Sequence, residues 1–401
     1  MRLFILMLIL MLIGSCNNQN HDLSEIVTQF PDADSIKVID ISTIPIREIT
    51  NISGISMGIE YIPLEKGSSS KIDVIDKIVT TEGRLYVGTL NEVFCYDKEG
   101  HFICNASRGN KNFKEPEDII YDFDVSSDDS ILAILSNKKI LVFSNTGAEF
   151  NYLRTINLKE PFPSKISFVP DSYNILISLI PSRGSERSLS IIINPNGDTL
   201  TLKPNFYRFI KHDKISYGNV EEIVHYKTDN CLCFKEEFSD TVFYFDNQSL
   251  EYKPRLILDT QGKTIKRWMR GNSPLKNSYD SVYSVQRIFE VSRYFVYSFE
   301  ISTEGSYSVL LDKVTNESFK IDLHNGLTDD ITGGPDLYLN ICSDGKFYSW
   351  MSSVSLHNHL KEEKFMRSDL TRKEQLKDIL SPKNEHQNPV LIVITPKEMD
   401  I

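Results

Sequence analysis

A strand–turn–strand unit returns along the chain at near-constant spacing, and this repeat limits the fold more than any other feature. The segments "FCYDKEGHF", "LVFSNTGAEF", "IIINPNGDTL", "FYFDNQSLEY" and "LLDKVTNESF" share one form: an apolar run, an Asx-type turn, then a second strand. Asp and Asn suit such turns because their side chains bond nearby backbone amides, and Gly supplies positive φ. Gly100, Gly147 and Gly197 mark the first three turns, a period of about 45–50 residues. A fourth turn falls near Gln248 and a fifth near Asn316, after a gap holding Gln261–Asn277, which reads as an inserted loop.

A period of this length with about four strands per unit predicts an all-β fold, a six-bladed β-propeller. One four-stranded sheet cannot bury both faces alone; stacking blades around an axis completes the core. Five hairpins are visible, and "DLYLNICSDGKFYSWMS" (Asp336–Ser352) opens a sixth blade. Its remaining strand is expected to be "PVLIVITP" (Pro389–Pro396), joined by "IKVIDI" or "GIEYIPLE" from the N-terminal side, which would close the ring. The alternative is a two-sheet sandwich or two separate β domains. Within the last blade, Leu356, Leu360, Met366, Leu370, Leu376 and Leu380 fall near helical spacing. They predict a short C-terminal helical insertion, about 355–381, broken near Ser368–Thr371 and packed on that blade.

The N-terminus gives an address. "MRLFILMLILMLIGSC" carries one positive charge, Arg2, and an apolar run from Leu3 to Ile13. That run is too short to span a bilayer and fits the apolar core of a signal peptide. It ends in small residues directly before Cys16, which resembles the lipobox of bacterial lipoproteins. The resemblance implies cleavage after Ser15 and lipidation of the Cys16 thiol, with several acyl chains giving stable anchoring. Residues 1–15 are then the signal peptide, 16–34 a lipidated tether and 35–401 the propeller. Asn17 is not the aspartate that would retain a lipoprotein at the inner membrane, so the outer membrane is expected.

The formal net charge of -11 excludes a general nucleic-acid binder, which needs a basic face to meet phosphates. "GISMG" (Gly54–Gly58) matches G-x-S-x-G, but a nucleophile elbow needs a helix after Ser56, and "IEYIPLE" reads as a strand. Cys231 and Cys233 share one face of a strand, yet no second pair completes a zinc set, and they read as small buried residues. His357 and His359 fall in the charged helical region and read as solvated. "DFDVSSDDS" (Asp122–Ser130) lacks the Gly and Glu of an EF-hand and reads as a solvated loop. No motif calls for a cofactor, a metal or a catalytic residue. Cys95 and Cys104 flank the first turn; a three-residue loop would point them to opposite faces, and free thiols are favoured over a disulfide.

Taken together, the chain resembles the six-bladed β-propeller lipoproteins of Bacteroides-type bacteria, with NHL-like blades. The resemblance rests on "IEYIPLE" (Ile59–Glu65), "GRLYVGTLNEVFCYDKEGHFI", "EPEDIIYDFDVSSDDSILAIL", "DDITGGP" (Asp329–Pro335) and "NEHQNPVLIVITPK" (Asn384–Lys397), in that order. The stretch Arg108–Asp118, "RGNKNFKEPED", departs from the compact glycine-rich segment of the family. The resemblance supplies no catalytic residues. It implies an outer-membrane-anchored binding or scaffold module whose partners are the membrane, through the lipid, and a protein, peptide or glycan ligand. The alternative is a metal-dependent hydrolase or lactonase using the central channel, with acidic and Asn ligands from several inner strands.

Overall fold

In the computed structural model the residues described are 36–41, 47–67, 71–108, 119–160, 162–208, 223–228, 231–265, 283–301, 305–321, 326–362 and 388–398, with Phe365, Lys373 and Leu376. The leader, Cys16 and the tether lie outside them, as do Met366, Leu370, Leu380 and most of Gln261–Asn277.

Six antiparallel sheets follow one another along the chain. Blade 1 is Lys77–Thr80, Arg84–Gly88, Val93–Asp97 and Phe102–Asn105; blade 2 is Ile120–Val125, Ile131–Ser136, Lys139–Asn145 and Phe150–Asn157. Blade 3 is Pro163–Phe168, Ile175–Leu179, Ser188–Ile193 and Thr199–Pro204; blade 4 is Ile223–Thr228, Cys231–Glu236, Thr241–Asp246 and Glu251–Asp259. Blade 5 is Tyr283–Glu290, Tyr294–Ile301, Gly305–Asp312 and Ser318–Ile321. Blade 6 takes Ile341–Ser343, Lys346–Met351 and Val390–Pro396 from the C-terminal region and its outermost strand from the N-terminal region.

Three N-terminal strands, β1 (Lys37–Asp40), β2 (Arg47–Ile49) and β3 (Ser56–Pro63), lie on the outer edges of blades 4, 5 and 6 in turn. Of the two candidates for ring closure, "GIEYIPLE" takes the place: β3 pairs antiparallel with Val390–Pro396, from Pro63 opposite Val390 to Gly58 opposite Thr395. "IKVIDI" instead adds a fifth strand to blade 4, and β2 runs parallel to Ser318–Ile321 as a fifth strand of blade 5.

The ring is closed by its cores. Each of six apolar clusters is shared by two neighbouring blades, and successive residues of a strand serve alternate clusters because side chains alternate across a pleat. Thus Tyr86, Val93 and Cys95 pack toward blade 2, whereas Leu85, Val87, Phe94 and Tyr96 pack toward blade 6. In "KILVF", Leu141 and Phe143 face blade 1 while Ile140 and Val142 face blade 3. This explains why the strands read as continuous apolar runs: both faces are buried.

The recurrent turns adopt the geometry their residues suggest. Gly100, Gly147 and Gly197 have φ of 91, 100 and 89°, and Leu250 and Asn316 take the same left-handed region in the fourth and fifth hairpins. The helical insertion begins as α1 (Ser353–Leu360), whose N-cap Ser352 accepts from the Ser355 amide. Leu356, Phe365 and Leu376 are buried in the cluster between blades 5 and 6, as expected for helix packed on the last blade.

Candidate binding channel

The inner strands of all six blades wall a central cavity of ≈ 1770 Å³. Its inner strands supply Lys77 from blade 1, Asp122 and Asp124 from blade 2, Lys165 from blade 3, His225 and Lys227 from blade 4, and Arg287 and Glu290 from blade 5. Asp76, Glu82, Lys138 and Asp344 line it from outside those strands.

The two carboxylates of blade 2 are the organising elements. Asp122 Oδ2 accepts from the Ile166 amide at 2.7 Å, and Asp124 Oδ2 accepts from the Phe168 amide at 2.7 Å. Asp122 and Asp124 are two residues apart and meet amides two residues apart, so one face of blade 2 caps the inner edge of blade 3. An innermost strand has one edge without a ladder partner, and these carboxylates satisfy its donors. Asp122 also accepts from Lys77 Nζ at 2.8 Å, and Asp124 is paired with Lys227. Lys77 further lies 5.6 Å from the centroid of the Phe123 ring.

The acidic run "DFDVSSDDS" is therefore not a solvated loop throughout. Asp122 and Asp124 are 9% and 3% exposed, on the channel wall; Asp128 and Asp129 alone occupy the turn. There Asp128 accepts from the hydroxyls of Ser126 and Tyr173. The D-x-D spacing on one face of a strand was the available signal, and it was hidden by the acidic turn that follows.

His225 sits among the cations. Burial, and then the charges of Lys77, Lys165 and Lys227, hold its imidazole well below the usual histidine range. Its Nδ1 is buried and has no hydrogen-bond partner among the described residues. At the blade 4–5 boundary, Arg255 grips Glu290 with two nitrogens, Nη2 to Oε1 at 2.8 Å, and Lys313 Nζ donates to Oε1 at 3.1 Å.

One mouth of the channel is apolar. Leu90, Ile119, Tyr121 and Phe162 gather where the inner strands begin, and all four are exposed. The Ile120 amide donates to Leu90 O at 3.0 Å, which ties blade 1 to blade 2 there. Phe162 has φ of 56°, a conformation a bulky residue rarely adopts, and Arg183 lies 5.2 Å from its ring centroid.

The other sequence candidates are structural. Ser56 opens β3 and donates to Gly58 O and Thr395 O at 2.8 and 2.9 Å; a strand follows it, so it forms no nucleophile elbow. Cys233 is buried beside Arg255 Nη1 at 3.2 Å, and burial pushes its thiol up to about 11; Cys231 packs against the same cluster. His357 and His359 are half-buried rather than solvated. His359 Nε2 donates to Gly333 O at 2.9 Å and fastens α1 to the "DDITGGP" loop. Among the described residues, the grouping able to gather around a metal ion is Asp97, Glu99 and His101, on the outer hairpin of blade 1. Its carboxylate is engaged within the turn: Asp97 accepts from the Glu99 and His101 amides and from His101 Nδ1.

These features define a six-bladed β-propeller with a charged central channel. The chain belongs to the family described as domain of unknown function 4934 (DUF4934), whose model matches residues 36–395. A solved structure of a Bacteroides fragilis protein, named for its inferred export, shares the fold: TM-score 0.65 at 18% identity, covering 90% of this chain and 100% of that one. Hydrazine synthase of Kuenenia stuttgartiensis (TM-score 0.41, 9% identity, 82% of this chain and 89% of that one) is more distant. So are the WD40 repeats of RRP9 (TM-score 0.43, 9% identity, 87% and 99%). No curated protein sequence matches the chain.

Proposed function

We propose that this protein is an outer-membrane lipoprotein, with NHL-like blades, that acts as a binding or scaffold module. Acyl chains on Cys16 hold it at the membrane, residues 16–34 act as tether, and the propeller presents its channel to a ligand. The observation that carries the binding role is the channel itself, a cavity of ≈ 1770 Å³ with charged side chains from five blades and an apolar mouth. Ligand sites are concave, mostly apolar and set with a few convergent polar groups, which matches this arrangement. The leader ending at Cys16 supports export, as does the likeness in fold to a protein named for export.

The hydrolase alternative needs carboxylate and Asn ligands from several blades around a divalent cation. The channel's inner strands instead offer Asp122 and Asp124 from blade 2, both already bonded to lysines and to blade 3 amides, and Glu290 from blade 5, already held by Arg255 and Lys313. That donor set does not fit a divalent cation, so the binding reading is favoured. Cys16→Ala in the full chain tests the anchor. Loss of acyl labelling and release from membranes is expected; unchanged membrane association would overturn it.

A further inference from the structure

The channel is close to electrical balance. Among the described residues its lining carries six carboxylates and five cations. Asp122 is paired with Lys77, Asp124 with Lys227, and Glu290 is held by Arg255 and Lys313. His225, buried among lysines, is kept uncharged at neutral pH. An ionic ligand would have to break such pairs and strand the group left behind, which is costly away from water. A wholly apolar ligand would strip water from the same groups and return no hydrogen bonds. Paired lysines and carboxylates still keep donors and lone pairs beyond those their partners use, and these suit neutral hydroxyls. The end where the inner strands finish adds the hydroxyls of Thr80, Ser126 and Ser343.

The opposite mouth carries aromatic rings, and the backbone is shaped to present them. Ile120 pairs with Ser136 and Asp122 with Leu135, so Tyr121 is the extra residue of a bulge. A bulge re-aims a side chain, and Tyr121 is 51% exposed while Asp122 beside it is buried. The inner strands of blades 3 and 5 bulge in their first halves too, between Pro163 and Lys165 and between Val285 and Arg287. Phe162 precedes the blade 3 strand at positive φ, with Arg183 against its ring. Trp350 of blade 6 reaches the same end. Its strand runs antiparallel to the inner one and pairs Tyr348 with Ile341, so two residues on it passes the start of that strand. Trp350 is half-buried and lines the cavity. Rings from blades 2, 3 and 6 thus rim one mouth, above a polar interior of little net charge.

A sugar ring has this same division: apolar C–H faces and an edge of neutral hydroxyls. We propose that the channel binds a neutral oligosaccharide, its rings stacked on Tyr121, Phe162 and Trp350 and its hydroxyls bonded to the Lys77–Asp122 pair below them. This deepens the binding reading above and rests on it. The cavity of ≈ 1770 Å³ exceeds the roughly 300–1,000 Å³ of a usual small-ligand site, so it has room for several sugar units.

Calorimetric titration of the full mature protein tests the proposal with cellohexaose, maltohexaose, xylohexaose and mannohexaose, and with hexagalacturonate and 1-octanol as counter-probes. At least one neutral hexaose is expected to bind, with an affinity that added KCl leaves unchanged because no charge pair forms. Hexagalacturonate and octanol are expected to bind it about tenfold more weakly or less. Tyr121→Ala, checked for an unchanged thermal midpoint, is expected to weaken the bound hexaose about tenfold, and Tyr121→Phe, which keeps the ring, to stay within about threefold of wild type. Phe162→Ala repeats the test at a second ring. Wild-type affinity in both alanine variants would overturn the stacking. Hexagalacturonate binding as tightly as any neutral hexaose, or octanol binding where no hexaose does, would overturn the sugar assignment and leave a binding module in place. Heat from no probe at millimolar concentration would overturn the assignment and count against the channel as a binding site. The lipid anchor is judged separately by Cys16→Ala.

Discussion

Cys95 and Cys104 lie directly opposite each other across the outer hairpin of blade 1, brought into register by a bulge between Cys95 and Tyr96. A turn without the bulge would set them on opposite faces; the extra residue turns both toward the core shared with blade 2. Both are free thiols in this structure. Contact with Cys104 and burial push the Cys95 thiol up, while the bond from Cys95 lowers Cys104. Cys104, half-buried, is therefore the thiol poised to attack. Opposed antiparallel Cα atoms are about 4.5–5.5 Å apart, within the range a disulfide spans. Diamide treatment of the mature protein is expected to form this bridge, lowering the count of thiols labelled after denaturation by two. Closing so short a loop would stabilise by about 2–3 kcal/mol. A tryptic map showing both residues alkylated after diamide treatment would refute the pairing.

The turn glycines make a controlled comparison. Gly100 and Gly147 both hold positive φ, so a Cβ strains either position by about 1 kcal/mol. Around Gly147 the space is open, but a Cβ on Gly100 would stand 2.4 Å from Pro63 O. Backbone cannot swing aside, and the turn is pinned there by the Glu65 amide, which donates to Gly100 O at 2.9 Å. Gly147→Ala is expected to cost about 1 kcal/mol, and Gly100→Ala a further 1–3 kcal/mol, about the cost of overpacking. Urea denaturation of both variants decides it; equal losses would show that the blade 1 turn does not bear on β3.

Local chemistry was readable in the sequence where the signal was local. The hairpin turns, the apolar strands and the opening hairpin of the sixth blade follow from residues within a few positions of one another. The channel did not, because it is made at distance. Asp122 is set by amides of blade 3 and by Lys77 of blade 1, and nothing near it in sequence shows either. His225 lies in "IVHYKT", a strand with no motif; what marks it is the company of lysines from blades 1 and 3. The choice between β1 and β3 for closing the ring was equally non-local, since both are short apolar strands. β3 reaches the last blade because "DDITGGP" receives it.

That reception is a single buried carboxylate. Asp329 accepts from Tyr61 Oη at 2.8 Å, from the amides of Ile331, Thr332 and Gly334 at 3.0, 2.8 and 3.1 Å, and from the Thr332 hydroxyl. Tyr61→Phe removes one partner and leaves the others, an expected loss of about 1–2 kcal/mol. Asp329→Ala strands several donors at once and is expected to cost roughly 3 kcal/mol or more. Gly334→Ala belongs with the severe group, because a Cβ there would meet Tyr61 Oη at 1.9 Å. Thermal unfolding of the three variants ranks them. Tyr61→Phe as damaging as Asp329→Ala would mean the carboxylate serves β3 and not its own loop.

Two buried groups give stability an opposed dependence on pH. Glu236 is 4% exposed, and burial outweighs Lys203 and Lys235 to push its carboxyl up to about 7. Between its ordinary value of 4.5 and about 7 the native state holds a proton that the unfolded chain has released. This contribution is complete below pH 4.5 and is lost as pH rises through 7, a change on the order of 3 kcal/mol. His225 acts in the reverse sense. Its folded value lies well below 6.5, so the unfolded chain binds the extra proton, and stability present above 6.5 is lost on acidification. Wild-type stability is therefore expected to hold a plateau on the acid side of neutrality, between about 4.5 and 6.5. Between pH 6.5 and 4.5 the two slopes oppose each other and the wild-type profile is nearly level; Glu236→Gln should remove the fall near pH 7 and leave a loss on acidification below 6.5, whereas His225→Gln should remove that loss and leave stability rising toward pH 5. Urea midpoints across that range are the measurement. A Glu236→Gln profile as steep as wild type above pH 6 would show that the carboxyl is ionised in the fold, with Lys203 and Lys235 outweighing its burial.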